Sequence, residues 1–231
     1  MKIQGIQKVT LLDFPGKVSC TVFTSGCNFR CPFCQNASLV IPGEIQGQGV
    51  EEEDFFAFLA TRVNKLDGVC ISGGEPTLQP DLKPFIRRIR AMGFEVKLDT
   101  NGSDPAILSE MMDEGLLDYV AMDIKNTRNN YAVTAGVSDP PLEKLEESVQ
   151  LLLTGRIPFE FRTTVVDELH TQEDIETIAI QIKGAPRYFL QMFSDEGDVI
   201  QTGLHACSRT KMEQLQSTAA QYVPNAAIRG G

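Results

Sequence analysis

Strand-like and helix-like segments alternate along the whole chain of 231 residues. The strand-like segments are rich in β-branched residues, and the helix-like segments repeat apolar residues every three or four positions. The predicted strands span residues 17–26, 67–72, 94–100, 118–125, 157–166 and 186–194, and the predicted helices span residues 51–64, 82–93, 103–115, 141–153, 171–184 and 208–223. Six strand–helix units of this kind predict a parallel sheet.

This alternation predicts an α/β fold whose strands form part of a barrel. Eight strands close such a barrel, so six predict an open, partial (β/α)6 barrel that resembles a TIM barrel, with a doubly wound sheet as the alternative. No linker, low-complexity tract or repeat divides the chain. We therefore expect a single domain over residues 1–231, with a core at about 17–194 and a C-terminal helix at about 208–223. In both folds, chemistry is expected where the strands end.

Three of the six cysteines stand close together, directly after the first predicted strand. The segment TSGCNFRCPFCQN spaces Cys27, Cys31 and Cys34 as C-x3-C-x2-C. A [4Fe–4S] cluster normally binds four thiolates. Three thiolates would leave one iron without a protein ligand, so the spacing predicts that a substrate or cofactor binds there.

A structural zinc site is the alternative, but it needs a fourth ligand, and zinc-binding cysteines usually come in pairs. The two histidines, His170 and His205, lie far along the chain. Cys20 and Cys70 alternate with apolar neighbours inside predicted strands and are interpreted as small buried residues. Cys207, in a late loop, stays open as a fourth ligand. A disulfide is not expected in a cytosolic protein.

The cysteine spacing after a first strand resembles the radical S-adenosylmethionine (radical SAM) superfamily. This resemblance implies that the amino and carboxylate groups of S-adenosylmethionine bind the open iron. Phe33, directly before the last cysteine, matches an aromatic position of the family and is expected near the adenine.

The segment ISGGEP follows the second predicted strand and is similar to the GGE motif of the same family. The motif implies that Gly73, Gly74 and Glu75 hold the amino group of the cofactor, with Pro76 completing the motif. Taken alone, two glycines also fit an ordinary turn at the end of a strand.

LDTNG and MDIK end the third and fourth predicted strands and bring two carboxylates and a lysine to the same edge. This pair of motifs resembles the glycyl-radical-enzyme activases, such as pyruvate formate-lyase activating enzyme. The resemblance implies a monovalent cation held by Asp99, Thr100 and Asp123, and a contact from Lys125 to the cofactor's carboxylate. The other positions expected to contact the cofactor are Asn36, Asn101 and Arg162. As alternatives, Asp99 could cap a turn and Asp123 could pair with Lys125 at the surface.

The segment KVTLLDFPGKVSCTVFTSGCNFRCPFCQN is most similar to the long-form activating proteins of anaerobic ribonucleoside-triphosphate reductase. That resemblance implies hydrogen abstraction from a glycine of a partner enzyme, with anaerobic ribonucleotide reductase as the leading candidate and flavodoxin or ferredoxin as electron donor. One departure is LQMFSDEG, at residues 190–197, which lacks a histidine that pyruvate formate-lyase activase carries there.

Three other functions stay open at this stage. The chain could activate a different glycyl-radical enzyme. It could be a radical SAM enzyme acting on a small molecule, similar to 7-carboxy-7-deazaguanine synthase. It could also be a non-enzymatic electron carrier or a zinc-stabilised scaffold, although neither would need the three later motifs.

Charge and hydropathy bear on the partners. The net charge is −10, and the arginines of FIRRIR, on a predicted helix, are interpreted as a solvated face, so no nucleic-acid partner is expected.

No apolar run reaches about 18 residues and no signal peptide is recognisable, so we expect a cytoplasmic protein without a membrane span. The C-terminal IRGG is expected to fray.

Overall fold

The computed structural model describes residues 1–41, 49–194 and 199–230. The strands are β1 (Ile3–Thr10), β2 (Ser19–Thr24), β3 (Gly68–Gly73), β4 (Glu95–Thr100), β5 (Tyr119–Asp123), β6 (Phe159–Val165), β7 (Tyr188–Met192) and β8 (Ala226–Arg229). The helices are α1 (Ala37–Val40), α2 (Glu52–Ala60), α3 (Leu82–Ala91), α4 (Pro105–Asp113), α5 (Tyr131–Ala135), α6 (Leu142–Leu153), α7 (Gln172–Gln181) and α8 (Arg209–Ala220). A 3₁₀ helix spans Pro76–Leu78.

All eight strands form one sheet whose spatial order follows the chain from β1 to β8. The strands β2 to β8 run parallel to one another, and β1 pairs antiparallel with β2. A doubly wound sheet reverses its strand order at a switch point, and this order contains no reversal. The partial, unclosed barrel is therefore confirmed and the doubly wound alternative is wrong.

The six predicted strands are all present, but the sheet has one further strand at each edge. Neither strand has a clear signal in the sequence, because glycine and polar residues interrupt IQGIQKVT in β1 and because β8 is only four residues long. The prediction that the tail frays is wrong for Ile228 and Arg229, which belong to β8. Gly231 lies outside the described residues.

The helices pack their apolar faces against the sheet much as their periodicity predicts. The rings of Phe55 and Phe56 on α2 lie 5.3 and 5.2 Å from the ring of Phe85 on α3. The four-residue spacing wrongly extends α2 to Val63, since the helix ends at Ala60 and Val63 is 43% exposed. Helix α7 begins with a capping box between Thr171 and Asp174. 

The arginines of FIRRIR on α3 form ion pairs with nearby acidic side chains. Arg87 pairs with Glu114, and Arg88 pairs with Glu53 at 2.6 Å. Their charges are thus matched by carboxylates, as the interpretation as a solvated face requires. Among the helices that the structure describes, none combines the length and the apolar character needed to cross a membrane.

The interior of the barrel is partly polar, and β8 supplies one of its charges. Glu160 on β6 is fully buried and accepts hydrogen bonds from Tyr119 Oη at 2.9 Å and from Arg229 Nη1 at 2.8 Å. The guanidinium of Arg229 also stacks on the ring of Phe189, 3.7 Å from its centroid. The C-terminal strand therefore supplies the ion-pair partner of a buried carboxylate.

We expect Arg229→Ala to destabilise the protein by roughly 2–3 kcal/mol, because it leaves the buried Glu160 carboxylate without its cation. Thermal unfolding should show a fall of about 4–10 °C in melting temperature. Arg209→Ala is the matched control, since Arg209 forms an exposed pair with Glu213 on α8. A second substitution, Glu160→Gln, should restore part of the loss. Equal melting temperatures for both single variants would contradict this assignment.

Candidate functional site

The predicted motifs meet at one edge of the sheet, where the parallel strands β2, β3, β4 and β5 end. There they surround a cavity of about 240 Å³. The predicted residues that line it are Cys27, Cys31, Phe33, Cys34, Asn36, Gly73, Gly74, Asp99, Thr100, Asn101, Asp123, Lys125 and Arg162. Glu75 and Pro76 do not line it, although both are buried directly behind it.

The loop after β2 presents the three cysteines to this cavity. The amide of Phe29 donates to Cys27 Sγ at 3.4 Å, and Asn101 Nδ2 lies 3.9 Å from the same sulfur. Cys34 N donates to Cys31 O at 2.9 Å and forms a tight turn between the second and third cysteines. Burial raises the pKa of Cys31 to about 12 and also raises the pKa of Cys27. Without a metal both groups are neutral thiols, and metal binding would displace their protons.

These cysteines fit an iron–sulfur cluster better than a single metal ion. A zinc ion needs ligands that converge on one point, and no three histidine, cysteine, aspartate or glutamate side chains among the described residues do so. In a four-iron cluster each thiolate binds a different iron. Three separated thiols facing one cavity, with an amide donating to a sulfur, suit such a cluster.

The other cysteines have no place in the site. Cys20 and Cys70 are fully buried inside strands, as predicted. Cys207 is 4% exposed and belongs to the main apolar core, which removes it as a fourth zinc ligand. All six cysteines lie in the described part of the chain, and none forms a disulfide.

Aromatic side chains enclose the cysteine loop. The ring of Phe29 packs edge-on against Tyr131 at 6.1 Å, and the ring of Phe33 packs edge-on against Phe193 at 6.5 Å. These residues form a second apolar cluster, separate from the main core. Its effect is to keep water away from one end of the cavity.

The glycines after β3 allow two loops to approach closely. A Cβ atom on Gly74 would lie 1.9 Å from Gly26 O, and one on Gly73 would lie 2.4 Å from Thr24 N. Gly73 also has a positive φ of 110°. Only glycine fits such contacts without moving the backbone. The GG pair is therefore more than an ordinary turn, because it brings this backbone against the cysteine loop.

The carboxylate of Glu75 joins the loops after β3 and β4. Its Oε1 accepts from Thr77 Oγ1 at 2.6 Å and from Thr100 Oγ1 at 2.8 Å, and its Oε2 accepts from Asn101 N at 2.7 Å. Its own amide donates to Gly26 O at 2.8 Å. Burial raises the pKa of Glu75, and these hydrogen bonds partly offset the effect. Side chain and backbone amide together thus hold three loops, and direct contact of Glu75 with a cofactor stays a prediction.

Five charged side chains form a continuous set at the ends of β4, β5 and β6, which we call the charge network: Lys97, Asp99, Asp123, Lys125 and Arg162. Arg162 bridges the two carboxylates, with Nε 2.8 Å from Asp123 and Nη1 3.2 Å from Asp99. Lys97 pairs with Asp99, and Lys125 lies 3.3 Å from Asp123. The alternative of an isolated surface pair between Asp123 and Lys125 is therefore wrong.

The charge network stays ionised despite its burial. Desolvation alone would raise the pKa of Asp99, but Arg162 and Lys97 outweigh it and hold that pKa well below its usual value. The pKa of Asp123 is lowered in the same way by Arg162 and Lys125. Burial would lower the pKa of Lys125, yet the carboxylate of Asp123 outweighs burial and raises that pKa. Lys125 thus presents a permanent positive charge between the carboxylates and the cysteine loop.

Several residues around the site were missed from the sequence. Lys97 could have been found from its position two residues before Asp99, on the same face of β4. His170 is buried, with Nε2 2.8 Å from Lys125 O, and its Nδ1 accepts from Val166 N at 3.1 Å. Burial lowers the pKa of His170, so the ring is neutral and fixes the backbone after β5. No sequence signal links His170 to that contact.

The region without the expected histidine also reaches the cavity. Gln191 on β7 lines it, and Gln35 Nε2 donates to Ser194 O at 3.1 Å. Residues 195–197 of LQMFSDEG lie outside the described residues. A larger cavity of about 470 Å³ lies between α6 and α7, but none of the predicted site residues lines it.

Comparison with known proteins agrees with this geometry. Residues 21–207 match the model of the Radical SAM superfamily. A Methanocaldococcus jannaschii protein named as a glycyl-radical enzyme activating enzyme is 33% identical over an alignment of 235 residues, which covers 98% of this chain and 95% of that protein. A 7-carboxy-7-deazaguanine synthase of Methanopyrus kandleri is also 33% identical, but over 130 residues that cover 48% of this chain and 51% of that protein.

A solved structure has a similar fold. It is a domain of a pyruvate-formate lyase-activating enzyme from Bacteroides vulgatus, with a TM-score of 0.59 and 19% identity. The similar region covers 71% of this chain and 99% of that domain.

We expect Gly74→Ala to separate the cysteine loop from the loop after β3, because the added methyl group collides with Gly26 O. The loss of stability should be about 3 kcal/mol, and iron bound after anaerobic reconstitution should fall. Gly5→Ala is the matched control, since its Cβ would meet only the ring of Phe23, at 4.0 Å. Full iron binding and an unchanged melting temperature in Gly74→Ala would contradict the tight approach of the two loops.

Proposed function

The chain belongs to the radical SAM superfamily and is a radical SAM enzyme, and from this premise we propose that it activates a glycyl-radical enzyme. Cys27, Cys31 and Cys34 hold a [4Fe–4S] cluster, and S-adenosylmethionine occupies the adjoining cavity. The observation that carries the proposal is the cavity itself, where three thiols, the backbone of two glycines and a charge network meet at neighbouring strand ends.

The extent of similarity supports an activase over a small-molecule enzyme. The relative named as a glycyl-radical enzyme activating enzyme matches nearly the whole chain, whereas the deazaguanine synthase matches about half of it at the same identity. An electron carrier or zinc scaffold would have no need of a polar cavity beside the cysteines.

The chemistry that the two groups supply when bound is one-electron cleavage of the sulfonium, giving methionine and a 5′-deoxyadenosyl radical that takes a hydrogen atom from the partner's glycine. The electron enters from a flavodoxin or ferredoxin. The protein's own contribution is to bind, to orient and to exclude water. None of these tasks needs a general acid or base within the cavity.

Orientation is the task of the loops after β3 and β5. The backbone of Gly73 and Gly74 lies close enough to the cysteine loop to hold an amino group there. Lys125 and Arg162 offer positive charge to the cofactor's carboxylate, and Asn36, Thr100 and Asn101 provide polar contacts along the same wall. Glu75 and Pro76 do not line the cavity, and their role is to fix the loop after β3.

Water exclusion is the task of the aromatic residues around the cysteine loop. Phe33 is 4% exposed and lines the cavity, where its ring can pack against an adenine. The contact of Phe33 with Phe193 keeps that ring in place. An apolar wall of this kind shields a reactive radical from solvent.

We assign anaerobic ribonucleoside-triphosphate reductase as the partner, because the N-terminal segment through Asn36 is most similar to its activating proteins. The monovalent cation beside Asp99 and Asp123 stays a prediction of the same resemblance.

Anaerobic reconstitution tests this function. The reduced protein should show a cluster signal in electron paramagnetic resonance that changes when S-adenosylmethionine is added, and it should release 5′-deoxyadenosine. Adding the reductase should produce a glycyl-radical doublet. Cys31→Ala should abolish the cluster signal and the product, whereas Cys207→Ala, a substitution in the main core, should retain both.

Each component of the proposal has its own contrary outcome. An unchanged cluster signal without 5′-deoxyadenosine would exclude radical SAM chemistry. If 5′-deoxyadenosine forms in the presence of a purine-type small molecule, and no glycyl-radical enzyme acquires a radical, the result would favour a synthase that acts on a small molecule. A doublet on another glycyl-radical enzyme alone would change the partner.

A further inference from the structure

A buried lysine inside the barrel, Lys97, forms an ion pair with one of the carboxylates of the site. Lys97 on β4 is 1% exposed, and its Nζ pairs with Asp99 Oδ1 and lies 3.7 Å from Cys70 Sγ. Lys97 and Asp99 are two positions apart on one strand, so their side chains share a face. Burying a lysine this deeply is costly unless it is paired, so its position has to be explained by the carboxylate that it contacts.

Every carboxylate oxygen in the charge network already accepts from a protein donor. Asp99 Oδ1 is paired with the buried lysine, and its Oδ2 accepts from Arg162 Nη1 at 3.2 Å and Ser72 Oγ at 3.1 Å. Asp123 Oδ1 accepts from Arg162 Nε at 2.8 Å, and its Oδ2 accepts from Lys125 Nζ at 3.3 Å. A metal cation bound by these oxygens would have to share them with three positively charged donors, Lys97, Arg162 and Lys125.

The charge count points the same way. The charge network has three cations, Lys97, Lys125 and Arg162, against two carboxylates, so its net charge is one positive. The ion pair with Asp99 accounts for a charged lysine inside the barrel. A metal cation would double the excess charge, whereas a bound carboxylate would neutralise it.

We propose that Lys97 and Arg162 take the place of the monovalent cation that the resemblance predicts beside Asp99 and Asp123. Lys97 occupies one oxygen of Asp99, and Arg162 bridges the two carboxylates as a shared metal ion would. Lys97 is therefore a positioning residue, which acts through Asp99 and has no contact of its own with the cavity. This inference rests on the proposed binding of S-adenosylmethionine in that cavity.

A salt-exchange experiment tests the inference. The affinity of the reconstituted protein for S-adenosylmethionine is measured by calorimetry at equal ionic strength in potassium, sodium and tetramethylammonium buffers. Tetramethylammonium has no N–H group and no open coordination position, so it cannot bind carboxylate oxygens as a small metal ion does. The wild-type affinity should be the same in all three buffers within about twofold, since the positive charges beside Asp99 and Asp123 belong to Lys97 and Arg162.

Lys97→Met should change this behaviour by removing the charge while keeping an unbranched side chain of similar length. Its affinity should fall about tenfold or more in tetramethylammonium, because a buried charge pair has lost one partner. Potassium or sodium should recover most of that loss by entering beside Asp99. Lys83→Met is the matched control, since Lys83 pairs with Glu110 on the helical surface, and it should stay independent of the cation.

Three results would overturn the inference: a wild-type affinity that depends strongly on potassium or sodium, a Lys97→Met variant with unchanged affinity in tetramethylammonium, or a loss that neither ion recovers. Broadening of the sodium NMR signal provides a second measurement, which needs no S-adenosylmethionine. We expect specific sodium binding in Lys97→Met and none in the wild type, and specific binding in the wild type would overturn the inference. If Lys97→Met fails to fold, the calorimetry and the sodium NMR signal of the wild type still test the inference. Absence of S-adenosylmethionine binding in every buffer would instead contradict the proposed function.

Discussion

The buried carboxylate of Glu75 is the contact on which the rest of the site depends. It accepts from the loop after β4 through Thr100 and Asn101, while the amide of the same residue donates to Gly26 in the loop after β2. Parallel strands bring their ends to one edge, but the loops beyond them have no ladder hydrogen bonds to hold them. A buried side chain with a full set of donors supplies that constraint. The cysteines, the glycine backbone and Asp99 keep their relative positions because these three loops are joined at one residue.

The site divides into an apolar end and a charged end, and Lys125 lies where they meet. Around the cysteines, Phe29, Phe33 and Phe193 exclude water, which strengthens any electrostatic interaction inside. At the other end, carboxylates and cations compensate one another. This division suits a ligand with an apolar ring system and a zwitterionic tail, because each part meets the environment that it prefers. Neutral His170 supports the junction by fixing the backbone of Lys125.

The strand-end positions could be predicted from the sequence because they follow from two regular features. Strand–helix alternation gives parallel strands, and parallel strands place GGEP, LDTNG and MDIK at one edge. What could not be predicted depends on contacts between segments distant in the chain. Neither β8 nor the neutralisation of Glu160 by Arg229 has a local signal, because four residues carry no usable periodicity. The extension of α2 to Val63 failed for the opposite reason, since its local period continues beyond the point where the helix ends. Lys97 had a local signal in the strand alternation, but its pairing depends on how far a flexible side chain reaches.

The cost of the charge network argues that it has a function beyond stability. Ion pairs buried in a protein are often no more stabilising than apolar side chains of the same volume, because desolvation offsets their attraction. The same positions could have been filled by leucine or valine, which β4 carries on its other face at Val96 and Leu98. Instead, β4 places the pair of Lys97 and Asp99 beside Arg162 from β6. Arg162 also pairs with Asp123 of β5, which pairs in turn with Lys125. An arrangement that needs three strands to balance its charges, and that still keeps one positive charge in excess, is explained by an anionic group that binds at the edge where those strands end.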